Sequence, residues 1–324
     1  GGSVRFSMGR SGLSVHRAGQ ASAAGIRKDA CHGAEGLSAV RGGPAWLYGM
    51  KLIRPLPSII KESVMQFQQI RGATSIVTFS GKRFLIDPFL APKGAFPPVP
   101  SPYNDFSNPL VDLPLPVSDI IAADAVIVTH MHHFDHFDDY AARALPKALP
   151  MFVQSEREAE DMRNLGFSRV TVLTESGTRL GDITLYRTEA LHGDGVTARY
   201  YYRKYGLPAE ACGVVFHAEG EKSLYVAGDT LWYDGVQKAI ERHRPQVIAL
   251  NAANAQMYDG TPILMGVDGV KEVALAAPGA ILVATHMDAV NHARVGRAEL
   301  REFARANALE ERLHIPEDGE VLVL

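Results

Sequence analysis

The sequence predicts a mixed α/β protein in which sheets are covered by helices. Three observations carry that prediction. From residue 124 onward short β-rich runs alternate with stretches of helical periodicity. Two pairs of β-rich runs are separated by tight-turn residues, as in hairpins. Several runs also end directly in histidine or aspartate, as strands do when a sheet rim carries polar chemistry.

Residues 1–49 stand apart from this pattern. They hold six basic residues (Arg5, Arg10, Arg17, Arg27, Lys28, Arg41) against two acidic ones (Asp29, Glu35), in a Gly-, Ala- and Ser-rich background without periodicity. This predicts a disordered extension, either a targeting segment or a non-native start ahead of Met50, followed by one domain over residues 50–324. TSIVTF (74–79) and KRFLID (82–87) flank Ser80-Gly81 and read as a hairpin ending at Asp87-Pro88. Proline recurs too often between Ala91 and Pro116 for regular structure, which predicts a long surface loop of the kind that borders sites. Then come a strand over 124–129, a helix over 138–145, a strand at 151–154, a helix over 156–165 and a strand at 170–173. Strands follow at 183–187, 213–217 and 223–227, the last two forming a second hairpin around Glu219-Gly220. Between them TARYYYRKYG (197–206) reads as an amphipathic strand or exposed loop. Its alternative role is to line a pocket for an anionic group with Arg199, Arg203 and Lys204. A helix over 235–243, a strand at 247–250, a helix over 269–277, a strand at 281–285 and a helix over 298–306 complete the chain.

Composition excludes several classes. With 324 residues, 46% hydrophobic and 21% charged, the chain can fill one large core or two smaller ones. The formal charge of −3 gives no general attraction to nucleic acid or anionic lipid. No run approaches the roughly 18 apolar residues of a membrane span. The two cysteines, Cys31 and Cys212, form neither a disulfide framework nor a cysteine zinc site. A cytoplasmic protein acting on a small molecule, without nucleic acid, is the resulting expectation.

The chemistry lies at the strand ends. VIVT runs into His130, LYVAG into Asp229 and LVAT into His286. Around the first of these, THMHHFDHFD (129–138) packs His130, His132, His133, Asp135 and His136 into seven positions. His130 and His132, two apart on an extended chain, point to one side and are able to share a metal. Asp135 or Asp138 alternatively serves as a helix cap. His217, His243, Met257, Met265 and Met287 read as structural residues.

THMHHFDHFD resembles the H-x-H-x-D-H signature of the metallo-β-lactamase superfamily. His192 in EALHGDG, Asp229 in VAGDT and His286 in VATHMDAVNH follow in that family's order. The resemblance covers Ser75 to Leu324, and within the superfamily it is greatest to the branch containing L-ascorbate-6-phosphate lactonase and related bacterial hydrolases. It implies a four-layer αββα sandwich and two divalent metal ions, zinc foremost, with manganese or iron as alternatives. His130, His192 and either His132 or His133 would hold one ion; Asp135, His136 and His286 would hold the other. Asp229 would bridge them, with Gly228 allowing close backbone approach. The choice between His132 and His133 arises from one extra residue before Asp135, accommodated as a bulge; Met131 is too soft a ligand for the site. Asp135 and His292 are the candidates for direct catalytic roles, with a surface helix cap at Asn291-His292 as the alternative for the latter. Asp87 either orients a metal histidine or is a turn residue. The implied activity is attack of metal-bound hydroxide on a small ester-like substrate, a lactone or carboxylic ester. The alternatives are a phosphodiesterase of the same fold and a non-catalytic binding protein.

Overall fold

Side-chain alternation along the strands decides the architecture. In the computed structural model, residues 64–324 apart from 194, 207 and 208 are described. The expected boundary at residues 49 and 50 lies outside the described residues. An antiparallel meander, β1 (Gln66–Arg71), β2 (Thr74–Phe79) and β3 (Lys82–Ile86), opens the first sheet. After α1 (Val117–Ile120) the chain continues through β4 (Ala125–Val128), α2 (Asp139–Ala144), β5 (Pro150–Val153), α3 (Glu156–Asn164) and β6 (Arg169–Val172), whose strands pair in parallel.

The second sheet repeats the plan. β7 (Thr178–Leu180), β8 (Ile183–Glu189), α4 (Gly195–Tyr205), β9 (Cys212–His217) and β10 (Leu224–Val226) supply an antiparallel part. A parallel part follows: α5 (Asp234–His243), β11 (Val247–Asn251), α6 (Val267–Ala276), β12 (Ile281–Thr285), α7 (Arg297–Ala306) and β13 (Leu313–His314). β14 (Val321–Val323) crosses back to pair with β1, giving two seven-stranded sheets.

On β4, Ala125 and Ile127 face the other sheet, while Val126 and Val128 pack under Ala141, Ala142, Ala159 and Met162 of α2 and α3. On β9, Val214 and Phe216 face inward and Val215 packs with Val236 and Ile240 of α5. Phe84 and Phe216 meet edge to face at 5.1 Å and join the two sheets. Both faces of these inner strands are therefore buried, and the four-layer αββα sandwich follows. Each large side chain so buried contributes about 1.5–3 kcal/mol.

Four short elements escape sequence patterning: β7, β13, β14 and α1, none longer than one turn or three ladder residues. β1 escapes it too, because QFQQIR carries few branched residues. Residues 197–205 belong to helix α4 rather than to a strand or loop. Ala198 and Tyr202, four apart, are its buried pair, which is helical rather than strand spacing.

From Ala91 to Pro116 there is neither helix nor strand, only a bridge between Phe96 and Asn108. Polar side chains fasten this segment. Arg71, fully buried, donates to the carbonyls of Phe89 (2.7 Å), Ala91 (2.8 Å) and Val111 (3.1 Å). The Asn291 carboxamide accepts from Val99 N–H and Asn108 Nδ2 and donates to the carbonyls of Val99 and Asn104. Asn291 lies between His286 and His292, so the proline-rich segment is tied to the turn that carries both histidines.

Candidate metal centre

The site is assembled at one rim, where β3, β4, β10 and β12 end. Asp87 directly follows β3 and His286 directly follows β12, both with positive φ (45° and 69°), so each turns sharply out of its strand. Gly228, at φ +67°, precedes Asp229, and a Cβ there would lie 2.4 Å from the Cys212 carbonyl oxygen. Only glycine lets that turn pass so close to β9.

Asp229 is the hub. Its Oδ2 lies 3.1 Å from His136 Nε2, 3.5 Å from His192 Nε2 and 3.7 Å from His130 Nε2. Its Oδ1 lies 3.7 Å from His286 Nε2 and accepts from Asn251 Nδ2 at 2.6 Å. Thr285 Oγ1 in turn donates to Asn251 Oδ1 at 2.8 Å. His133 Nδ1 is 3.2 Å from His192 Nε2, and Asp135 Oδ2 is 3.4 Å from His286 Nε2. Three groups with ligand atoms within 4.8 Å of one another result: His130, His133 and His192; His130, His136 and Asp229; Asp135, His136 and His286.

A second layer orients these groups. Asp87 Oδ2 is 2.9 Å from His136 Nδ1, and Asp87 is itself held by the N–H (2.7 Å) and hydroxyl (2.8 Å) of Thr129. His192 Nδ1 donates to the Ile263 carbonyl at 3.0 Å. Both contacts place a ring proton on Nδ1 and turn Nε2 toward Asp229.

The donor set fits metal ions. His130 Nε2 is buried without a hydrogen-bond partner among the described residues and lies 3.7 Å from Asp229 Oδ2. The Nε2 atoms of His136 and His286 face each other at 3.3 Å, and neighbouring lone pairs converge on one carboxylate. Imidazole and carboxylate are the ligands of zinc, manganese and iron.

Electrostatics separate the histidines into two sets. Burial, reinforced by mutual repulsion, pushes His130 well below the usual imidazole value and His133 down to about 3. His192 is lowered by burial as well. Burial also opposes charge on His136 and His286, yet Asp229, joined by Asp87 and Asp135, raises both. Burial likewise opposes charge on Asp229, but His136, His286 and His192 hold it well below the usual carboxylate range. The hub is thus an anion that attracts positive charge from several sides.

Of the residues singled out from sequence, His132 is the one the fold turns away. Its Nε2 lies 3.5 Å from Asp161 of α3, outside all three groups, whereas its neighbour His133 reaches His192. Asp138 is the N-cap of α2, accepting from Ala141 N–H, and Asp135 is not. His292 is buried, its Nδ1 is unpartnered, and burial pushes it down to about 4.

Sequence reasoning missed Asn251, Thr129 and Tyr202. The first ends β11 as Thr285 ends β12, so the strand-end pattern that flagged His130 applies to it equally. Tyr202 donates to the His192 carbonyl at 2.6 Å and packs against the rings of His133 and His192, both at 5.8 Å. Tyr202 also lines a groove of about 340 Å³ with Arg199 and Arg203 of α4, Arg157 and Glu210.

Fold and centre together define a metal-dependent hydrolase of the αββα type, and comparison with known proteins narrows this. Residues 82–287 match the Beta-lactamase superfamily domain. The chain is 42% identical over 258 residues to the UPF0173 protein YddR of Bacillus subtilis (strain 168), covering 79% of this chain and 98% of the relative. A crystal structure of isothiocyanate hydrolase from Delia radicum gut bacteria is similar at 38% identity and a TM-score of 0.76, over 80% of this chain and 99% of that one. A possible metal-dependent hydrolase from Veillonella parvula DSM 2008 is similar at 37% identity and a TM-score of 0.76, over 81% and 100%. The chain belongs to the Beta-lactamase superfamily and, within it, to the UPF0173 group of metal-dependent hydrolases. It is an enzyme, and the reading as a non-catalytic binding protein is set aside. Among the described residues no helix is long and apolar enough to cross a membrane.

Proposed function

We propose that the chain hydrolyses a small uncharged molecule at an electrophilic carbon, the carbonyl of a lactone or carboxylic ester. The observation that carries this reading is Asp229, whose two buried oxygens are shared among four histidines. His130, His133 and His192 would hold one ion, Asp135, His136 and His286 a second, with Asp229 between them. When bound, such a pair of ions makes water nucleophilic near neutral pH and polarises the group under attack.

The chain's own residues do the rest. Asp87 and the Ile263 carbonyl fix two imidazoles in the tautomer that presents Nε2. Asn251 occupies one lone pair of Asp229 and sets its rotation. His292, held neutral by burial, offers a hydrogen bond to an oxygen gaining charge and is able to accept a proton, but is not a cationic acid at neutral pH. Beside the motif, Phe89, Ala91 and Val290 pack with Phe96 and Phe134 in a buried apolar cluster that holds the turn carrying His292. A cytoplasmic location and a small-molecule substrate belong to the same proposal.

Two further readings rest on specific observations. The similarity to isothiocyanate hydrolase favours an isothiocyanate carbon, attacked in the same way as a carbonyl. The groove bearing Arg157, Arg199 and Arg203 favours a phosphodiester, whose charge guanidinium groups bind well. A panel of a γ-lactone, p-nitrophenyl butyrate, benzyl isothiocyanate and bis-p-nitrophenyl phosphate, each with zinc-, manganese- and iron-loaded protein, separates them. Turnover of the lactone or carboxyl ester is expected, and exclusive turnover of the phosphodiester would overturn the carbon-centred reading.

A further inference from the structure

The histidine motif carries one residue more between its leading histidine and Asp135 than the H-x-H-x-D-H pattern, and the structure shows where that residue goes. Met131 turns into the apolar layer beneath α2 and α3, and His132 turns outward to Asp161. His133 is thereby brought to His192. Residues 131–137 form turns and bends beyond β4, outside any strand ladder, and an N–H group buried there without a partner would cost about 1–3 kcal/mol. Met131 N–H is buried there, and it donates to Glu158 Oε1 at 3.1 Å.

Glu158 is placed unusually for its position. Ser155-Glu156-Arg157-Glu158 has the spacing of a capping box, and the Ser155 hydroxyl does cap α3 by accepting from Glu158 N–H. In a capping box the glutamate reaches back to the N-cap amide. Here its carboxylate, 2% exposed, accepts from Met131 N–H, from Gln154 Nε2 at 2.9 Å and from Gln154 N–H at 3.4 Å. Gln154 Nε2 also donates to the Glu210 carbonyl at 2.9 Å, linking the arrangement to the segment that enters β9. A buried carboxylate with its lone pairs committed in this way is rigid, and it grips the motif at the inserted position.

We propose that Glu158 is the positioning residue of the first ion: it fixes the turn at Met131 so that His133, and not His132, faces the centre. This rests on the reading that His133 is a ligand. Glu158 touches neither substrate nor ion and acts through the backbone of the motif. Its loss therefore weakens one ion selectively, whereas simple loss of fold would weaken both.

The test is metal affinity by competition with a chromophoric chelator, on the full chain, for the two ions separately. Glu158→Ala should weaken one ion by about ten- to hundredfold, the range for residues that orient ligands, and leave the other within about twofold. Glu158→Gln, which keeps a carbonyl acceptor for Met131 N–H, should recover part of that loss. If Glu158→Ala does not fold, the Gln variant together with Gln154→Ala decides, and both should show the same selective weakening to a smaller degree. His133→Ala separates the two layers of the claim. If it retains both ions, the ligand reading fails. If it loses one while the Glu158 and Gln154 variants bind both like the parent, or lose both equally, the positioning role of Glu158 is wrong.

Discussion

The first sheet delivers His130, His133, Asp135 and His136 to the rim through a single turn after β4, whereas the second delivers His192, Asp229 and His286 through three separate strand ends. The difference sets how each half fails. In the second sheet His286 directly follows β12, which is in register with β11, while Asp229 and His192 come three residues after β10 and β8 and are held by Asn251 and by the Ile263 carbonyl. Positions in the first depend on one irregular turn, held by side chains from outside it: Asp87 under His136, and Glu158 under Met131. Candidate ligands placed by separate strands thus face candidate ligands placed by one turn.

Breaking the shared element has the largest expected effect. Asp229→Ala removes the one carboxylate that both halves address, so metal content after dialysis should fall toward zero and turnover to background. Retention of two ions would show that the halves bind independently. The locally supported half comes next. Asp87→Ala leaves the buried Thr129 N–H without an acceptor, costing about 1–3 kcal/mol in urea unfolding. It should also weaken metal binding about ten- to hundredfold by releasing His136. An equivalent loss of a support in the second sheet, Asn251→Ala, should disturb binding less, because Asp229 is also fixed by its strand.

Acid should separate the two sets of histidines. His133 (about 3) and His292 (about 4), with His130 and His192 also lowered, are neutral when folded and charge on unfolding, so the unfolded chain binds more protons below about 6.5. Asp135 and Asp229, lowered in the folded state, act in the same direction at lower pH. His136 and His286 are raised and oppose this, their contribution being present at low pH and lost as pH rises through their folded values. Lowered groups outnumber raised ones, so stability of the metal-free protein should fall as pH drops from about 6.5 toward 4, measured by thermal melts. A melt that improves over that interval would place the proton balance on the raised pair. The smallest effect belongs to His132→Ala: its partly exposed pairing with Asp161 is worth about 0–1 kcal/mol, and metal content should not change.

Much of this was legible in the sequence, for stated reasons. Apolar runs ending in His130, Asp229 and His286 identify the rim, since a strand buried on both faces shows its polar residue only where it leaves the sheet. His136 and Asp135 follow from their place ahead of a helix. The identity of the inward histidine was not legible, because adjacent residues on a turn differ only through contacts made by α3, which lies downstream. Residues 197–206 were misread because Arg and Tyr suit strand and helix alike, and only the burial of Ala198 and Tyr202 decides. Asn251 went unnoticed because asparagine usually signals a turn, and the surface helix cap expected at Asn291-His292 is overturned by the burial of both residues.

Anomalous diffraction from crystals of zinc-loaded protein tests the central claim most directly. Two peaks are expected, with the Asp229 carboxylate between them, His130, His133 and His192 around one and Asp135, His136 and His286 around the other. A single peak, a peak coordinated by His132, or zinc bound away from Asp229 would contradict the account.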